Sequence, residues 1–186
     1  MTRKNGLILA VALQTLVLFG MIANKQYTLL TGTEVVLEMK PVDPRSLFRG
    51  DYVRLSYDIS IVNPNQLAGD DKFSRGDRIH VRLKKKEPGP HTVAWIPVSL
   101  HHRRPAPSPS HIVITGKVAF VADLRRRLSV RYGIESYFVP EDEGRALERP
   151  KPGEIVTVRL AIDRFGRSAI KAVLIDGKPR YTESLF

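Results

Sequence analysis

Cysteine is absent from this chain. Its absence removes disulfides, thiolate nucleophiles and Cys-ligated zinc, and leaves the redox compartment open. Beyond Leu30 there is no long stretch with a 3.6-residue apolar period, so the bulk of the chain does not read as helical. The five histidines show no metal-ligand spacing: His101-His102 sits among prolines, while His80, His91 and His111 are scattered. No aromatic stacking platform and no helix-turn-helix pattern accompany the basic charge, which argues against nucleic acid. No nucleophile–base pair stands out, and no cofactor is expected.

Charge is also missing from Gly6–Ala23, eighteen residues whose only polar members are Gln14 and Thr15. As a helix this run spans about 27 Å, enough for a hydrocarbon core. It lacks a polar face, which argues against a buried helix of a soluble protein. The rival is a cleaved secretory signal, but Met21-Ile22-Ala23 offers one of the two small residues a signal peptidase prefers. A retained anchor at 6–23 is therefore expected. Arg3 and Lys4 keep residues 1–5 in the cytoplasm and send the rest across.

What is present is a chain of 186 residues with 42% apolar content and a net charge of +11. The apolar content suffices for a core, and the charge favours an anionic partner such as lipid headgroups. Basic clusters occur at Lys84–Lys86, His101–Arg104 and Arg125–Arg127. If they share a face near the membrane they attract anionic lipid.

Beyond the anchor the chain shows short alternating runs punctuated by Gly, Pro and Asp, the pattern of an all-β, mainly antiparallel domain. Sliding the chain against itself by 77 residues lays Asp51–Leu83 on Leu128–Leu160 without a gap. Seven pairs are identical, among them Val53/Val130, Arg54/Arg131, Gly76/Gly153 and Val81-Arg82-Leu83/Val158-Arg159-Leu160. Chance pairing would give about two. The same offset continues through Val35/Ile112 and Leu37/Ile114, and forward through Val93/Ile170, Ile96/Val173 and Val98/Ile175. The alignment predicts β repeats at 34–100 and 111–177, a Pro-rich linker at 101–110 and a tail at 178–186. The repeats are expected to form one pseudo-two-fold barrel or sandwich. In each, alternate residues face inward: Val53, Leu55, Tyr57 and Ile59, then Ile79, Val81 and Leu83 opposite His80 and Arg82. The second repeat follows with Leu128, Val130, Tyr132 and Ile134, then Val156, Val158 and Leu160 opposite Thr157 and Arg159.

One stretch carries a motif: Arg49-Gly50-Asp51-Tyr52-Val53-Arg54-Leu55-Ser56-Tyr57. Gly50, Asp51, Tyr52, Leu55 and Tyr57 match every fixed position of the bacterial GDYXXLXY membrane-anchored proteins. Pro41–Arg49 and Tyr132–Glu141, which holds Gly133, Glu135 and Tyr137, are also similar to that family. The resemblance covers the span and most of the remaining chain. It implies a single-span protein of the bacterial inner membrane, with an extracytoplasmic domain, no established activity and a multi-pass membrane protein as partner.

Asp51 shares the phase of the inward residues, so it is either a buried carboxylate with a raised pKa or a cap on the Gly50 turn. The turn is the favoured reading. Arg54 with Asp58, and Arg131 with Glu135, stand too far apart along a strand to touch, which points to cross-strand partners. Glu135, Tyr137 and Glu141–Glu143 form an acidic island that reads as a solvated turn rather than a cation site. The expected function is a non-catalytic binding or accessory module. The alternatives are a tethered hydrolase using Asp51 or Ser46, and an electrostatic binder of anionic lipid or envelope polymer.

Overall fold

The computed structural model describes residues 3–40, 52–86, 95–106, 108–122, 127–138 and 153–183, with backbone alone at 52–54. The chain opens with one helix, α1 (Arg3–Thr31). It runs on past the apolar stretch without a break, and it is long and apolar enough to cross a membrane. None of its apolar window is buried, and Leu7, Leu13, Leu16 and Phe19 all stand exposed around it. Thr28 and Leu29, in its final turn, are buried. Gly32 follows as a sharp corner. A Cβ there would lie 2.5 Å from the Thr28 carbonyl oxygen and 2.8 Å from the Ile162 nitrogen, so only glycine lets the helix end lie this close to a strand.

The rest is mostly strand. In order come β1 (Thr33–Lys40), β2 (Tyr52–Arg54), β3 (Ser56–Tyr57), β4 (Ile61–Val62), β5 (Ala68–Gly69), β6 (Arg78–Lys85) and β7 (Trp95–His101). They are followed by β8 (His111–Ala122), β9 (Arg127–Arg131), β10 (Ser136–Phe138), β11 (Val156–Ile162), β12 (Ser168–Ile175) and β13 (Lys178–Thr182). A five-stranded sheet has the order β13-β12-β11-β1-β3, a six-stranded sheet has the order β4-β9-β8-β6-β7-β5, and β2 pairs with β10. One apolar cluster joins them, with Val35, Leu37, Val81, Leu83, Ile114, Val158 and Leu160 at its centre. The alternation expected from sequence holds at Leu55, Tyr57 and Ile59, at Ile79, Val81 and Leu83, at Val130, Tyr132 and Ile134, and at Val156, Val158 and Leu160.

Two residues read as outward are buried instead: His80 is 8% exposed and Thr157 is 1% exposed. His80 Nδ1 lies 2.9 Å from the Thr115 hydroxyl on β8, and Thr115 in turn lies against the β11–β12 hairpin through Gly166 and Phe165. On the other sheet α1 packs against β11 and β12. β6 thus has cover on the face that alternation assigns to water, while Thr157 lies within its sheet between Glu38 on β1 and Leu174 on β12. The expected tail also differs. Lys178–Thr182 form β13, and Asp176 (φ 49°) and Gly177 (φ 77°) make the tight turn into it. Two central residues at positive φ suit an Asp-Gly hairpin.

Internal correspondences are visible in the strand registers. On β1 and β11, Val35 pairs with Leu160 and Leu37 with Val158. On β8 and β6, Ile112 pairs with Leu83 and Ile114 with Val81. Adding 77 to the first residue of each pair and subtracting 77 from the second converts one register into the other. Each half therefore completes the other's sheet. The β6–β7 ladder is irregular between Arg82 and Leu83, and the β11–β12 ladder between Arg159 and Leu160, again 77 apart.

Elsewhere the uniform offset does not hold. Val81 pairs with Leu100 while Val158 pairs with Val173, so the return strands correspond at 73 residues. The expected matches Ile96/Val173 and Val98/Ile175 are displaced by the longer β6–β7 connection. Around the motif, Lys40 pairs with Ser56 and Lys117 with Arg131, a correspondence at 75. Tyr57 thus matches Tyr132. The Val53/Val130 and Arg54/Arg131 identities sit two residues out of register, a slip that leaves side chains on the same face because the strand period is two.

Candidate functional site

The described part of the motif forms a crossed pair of segments. Leu55 donates its backbone N–H to the Glu135 carbonyl at 2.9 Å. The Tyr57 hydroxyl donates to the Ile134 carbonyl at 2.7 Å, and the Tyr132 hydroxyl donates to the Ile59 carbonyl at 2.9 Å. Each tyrosine thus secures the turn that carries the other. Burial, with the Glu135 charge adding to it, pushes both phenols far above their ordinary pKa. They stay protonated and act as donors. Gly133 sits at φ 82° with open space around it. The Glu135 carboxylate folds back to accept the Tyr132 N–H and, at 3.0 Å, the Gly133 N–H. Glu135 therefore closes its own turn, where a cross-strand partner had been expected. Asp58 does take a cross-strand cation, with Lys40 at 2.8 Å, on an exposed face.

Arg49, Gly50 and Asp51 lie outside the described residues, as do Ser46, His91, Arg125, Arg126 and Glu141–Glu143. Tyr52 is described by its backbone, which pairs with Phe138. That pairing sets the motif strand beside a cleft of about 340 Å³ lined by Lys25, Gly133, Ser136, Phe138, Ser168 and Glu183. Tyr137 also faces this cleft and is 6% exposed. Burial raises its phenol, with Glu183 and Tyr181 contributing. Of the sequence-derived candidates, Gly133 and Tyr137 line this cleft, whereas Leu55, Tyr57 and Glu135 build the scaffold behind it. Lys25 places the cleft at the foot of the helix.

A second constellation at the helix foot has no counterpart in the sequence reading. Asp163, 3% exposed, follows directly on β11. Its Oδ1 accepts the Phe165 and Arg167 backbone N–H groups at 2.9 Å, and its Oδ2 accepts Thr28 Oγ1 at 3.1 Å. Arg167 reaches the same oxygen through Nε at 2.7 Å and through Nη2 at 2.6 Å. Its other terminal nitrogen donates to Asn24 Oδ1. Burial by itself would raise the Asp163 pKa. The bonds from Arg167, Phe165 and Thr28 together outweigh it and hold the carboxyl below the usual range. Asn24 and Thr28, four residues apart on one helix face, are the only local signal. Nothing in the sequence names their partner.

The described histidines find protein partners: besides His80, His101 Nε2 meets Ser99, His102 Nε2 meets the Lys72 carbonyl, and His111 Nδ1 meets Ser110. Among the described residues no group of three His, Asp or Glu is placed to hold a metal ion. The linker's Arg104 and Pro105 share a cleft of about 210 Å³ with Thr31, His111, Asp163 and Arg164, so the basic linker also reaches the helix foot.

No curated protein and no solved structure matches this chain. A family model described as GDYXXLXY protein matches residues 14–173, from inside the apolar helix to the last strand but one, and the chain belongs to that family.

Proposed function

We propose that α1 spans the bacterial inner membrane once, with its N-terminus in the cytoplasm, and that the extracytoplasmic β-domain is a non-catalytic docking module for a multi-pass membrane protein. The observation that carries this reading is the joint between helix and domain. An apolar helix with no buried face continues without a break into turns tied to β11 and β12 by Thr28, Asp163 and Arg167. A tether of this kind holds the domain at a fixed height and orientation over the bilayer, which a flexible linker would not do. Arg3 and Lys4 before the span support the orientation. The cleft beside Tyr137, with Phe138 at its rim 78% exposed, offers apolar surface next to the span. That is where an extramembrane loop of a neighbouring multi-pass protein would meet it.

We further infer that the domain arose by duplication and closes as a pseudo-two-fold barrel. The exchanged registers of β1 with β11 and β8 with β6 support this reading.

Photo-crosslinking in living cells tests the function. A crosslinking side chain at Phe138 is expected to give discrete adducts with an integral membrane protein, and one at Asp70, exposed just past the edge strand β5 of the six-stranded sheet, is not. Adducts with lipid alone would overturn docking. The hydrolase alternative rests on Asp51 and Ser46. If Asp51→Ala leaves adduct formation intact yet abolishes turnover of an envelope substrate, catalysis replaces docking.

A further inference from the structure

The β11–β12 hairpin ends in Asp163-Arg164-Phe165-Gly166-Arg167. Its aromatic residue is displayed rather than packed: Phe165 is 51% exposed. Two guanidinium groups flank the ring, Arg164 at 4.8 Å and Arg167 at 5.1 Å from its centroid. The position of this tip is fixed by the bonds already described. Arg167 touches Asn24, the first residue after the apolar run, and Asp163 holds Thr28 one turn later. With the apolar run spanning the hydrocarbon, Asn24 stands at the headgroup level. The Phe165 ring, about 5 Å from a guanidinium that reaches Asn24, stands there too. Lys25 and the half-exposed Tyr27 lie on the helix at the same height.

An exposed aromatic bracketed by arginines matches the chemistry of the interface. The ring gains by leaving water for the headgroup–acyl boundary, and the guanidinium groups pair with lipid phosphates. The charge preference is for anionic headgroups, and Arg104, which lines a cleft with Arg164, adds to it. Arg167 is committed to Asp163 and Asn24, so Arg164, exposed at the tip, is the residue free of a structural task in the helix joint.

We propose that the Arg164–Arg167 hairpin tip is a second membrane contact, inserting Phe165 at the bilayer interface and binding anionic lipid headgroups through Arg164. It rests on the reading of α1 as a membrane span. It gives the domain two points of attachment, and so orients the cleft beside Tyr137 relative to the bilayer plane.

Depth-dependent fluorescence quenching tests it in the full chain. Trp95 is the one tryptophan, so the pair of changes Trp95→Phe and Phe165→Trp leaves a single reporter at the tip. Circular dichroism of the variant against the parent chain verifies that the β-domain is folded. In bilayers containing phosphatidylglycerol, the reporter's emission is expected to shift to the blue and to lose intensity to lipids brominated high on the acyl chain. Both effects should be weaker in pure phosphatidylcholine. Arg164→Glu should remove the difference between the two lipids. Emission typical of water, unquenched in both bilayers while the chain resists alkaline extraction, overturns the hairpin contact and leaves the anchor standing. Quenching that is equal in both lipids and indifferent to Arg164→Glu overturns headgroup recognition. Release of the chain by alkali overturns the span itself.

Discussion

The Tyr57 hydroxyl can be deleted without changing the shape of the ring, which isolates its bond to Ile134. Tyr57→Phe leaves a buried carbonyl without its donor, and Tyr132→Phe does the same to Ile59. Each change is expected to cost about 1–3 kcal/mol, read as a lower midpoint in urea with an unchanged slope. Alternation along Leu55-Ser56-Tyr57 was enough to place Tyr57 inside, and its motif position marked it as special. Its partner was not legible, because a hydroxyl-to-carbonyl bond 77 residues away depends on how two turns cross. Glu135 failed for a related reason. A carboxylate two and three residues past free N–H groups turns back on them when Gly133 opens the turn, and strand spacing does not reveal that.

At the level of elements, the joint between α1 and the β11–β12 hairpin concentrates its polar bonds on one carboxylate. Asp163→Asn keeps the size of the side chain but loses the charge that Arg167 faces. It is expected to cost about 2–3 kcal/mol at neutral pH. The pH dependence has a definite sign. The folded pKa of Asp163 lies below its unfolded value near 4, so its contribution is complete above about pH 4 and is lost as the pH falls through the lower folded value. The parent and Asp163→Asn melting curves should therefore differ at pH 7 and converge in strong acid. A constant gap down to the lowest pH would show that the charge of Asp163 contributes nothing. The apolar run announced the helix, but its end at Thr31 was hidden, because Asn24–Thr31 is not apolar enough to extend a span. Its stability comes from the sheet it meets. The missed strand β13 was legible in principle, since Asp176-Gly177 between Ile175 and Lys178 is a two-residue hairpin signal.

The whole molecule is organised by exchange between its halves. β1 completes a sheet with β11, and β6 completes one with β8, so neither the first half nor the second contains its own central ladder. An offset of 77 in the sequence led to the expectation of two similar halves closed into one body, but an alignment does not say which strands pair across the halves. The alignment also concealed the shifts to 75 and 73, because an even slip keeps every apolar residue on its side and leaves the pattern looking intact. Interleaving has a consequence for expression in two pieces. Residues 107–186, produced alone, lack β1 and α1 and should aggregate or be degraded, because the β11 edge and its covered face are left bare. Produced together with tagged residues 1–106, they should be recovered with the tagged half from detergent extracts. They should also show the cooperative melting of the intact chain. Recovery of residues 107–186 as a folded, soluble piece that ignores residues 1–106 would mean that the exchanged ladders between β1 and β11 and between β6 and β8 are dispensable. The two halves would then be stable units joined by a linker.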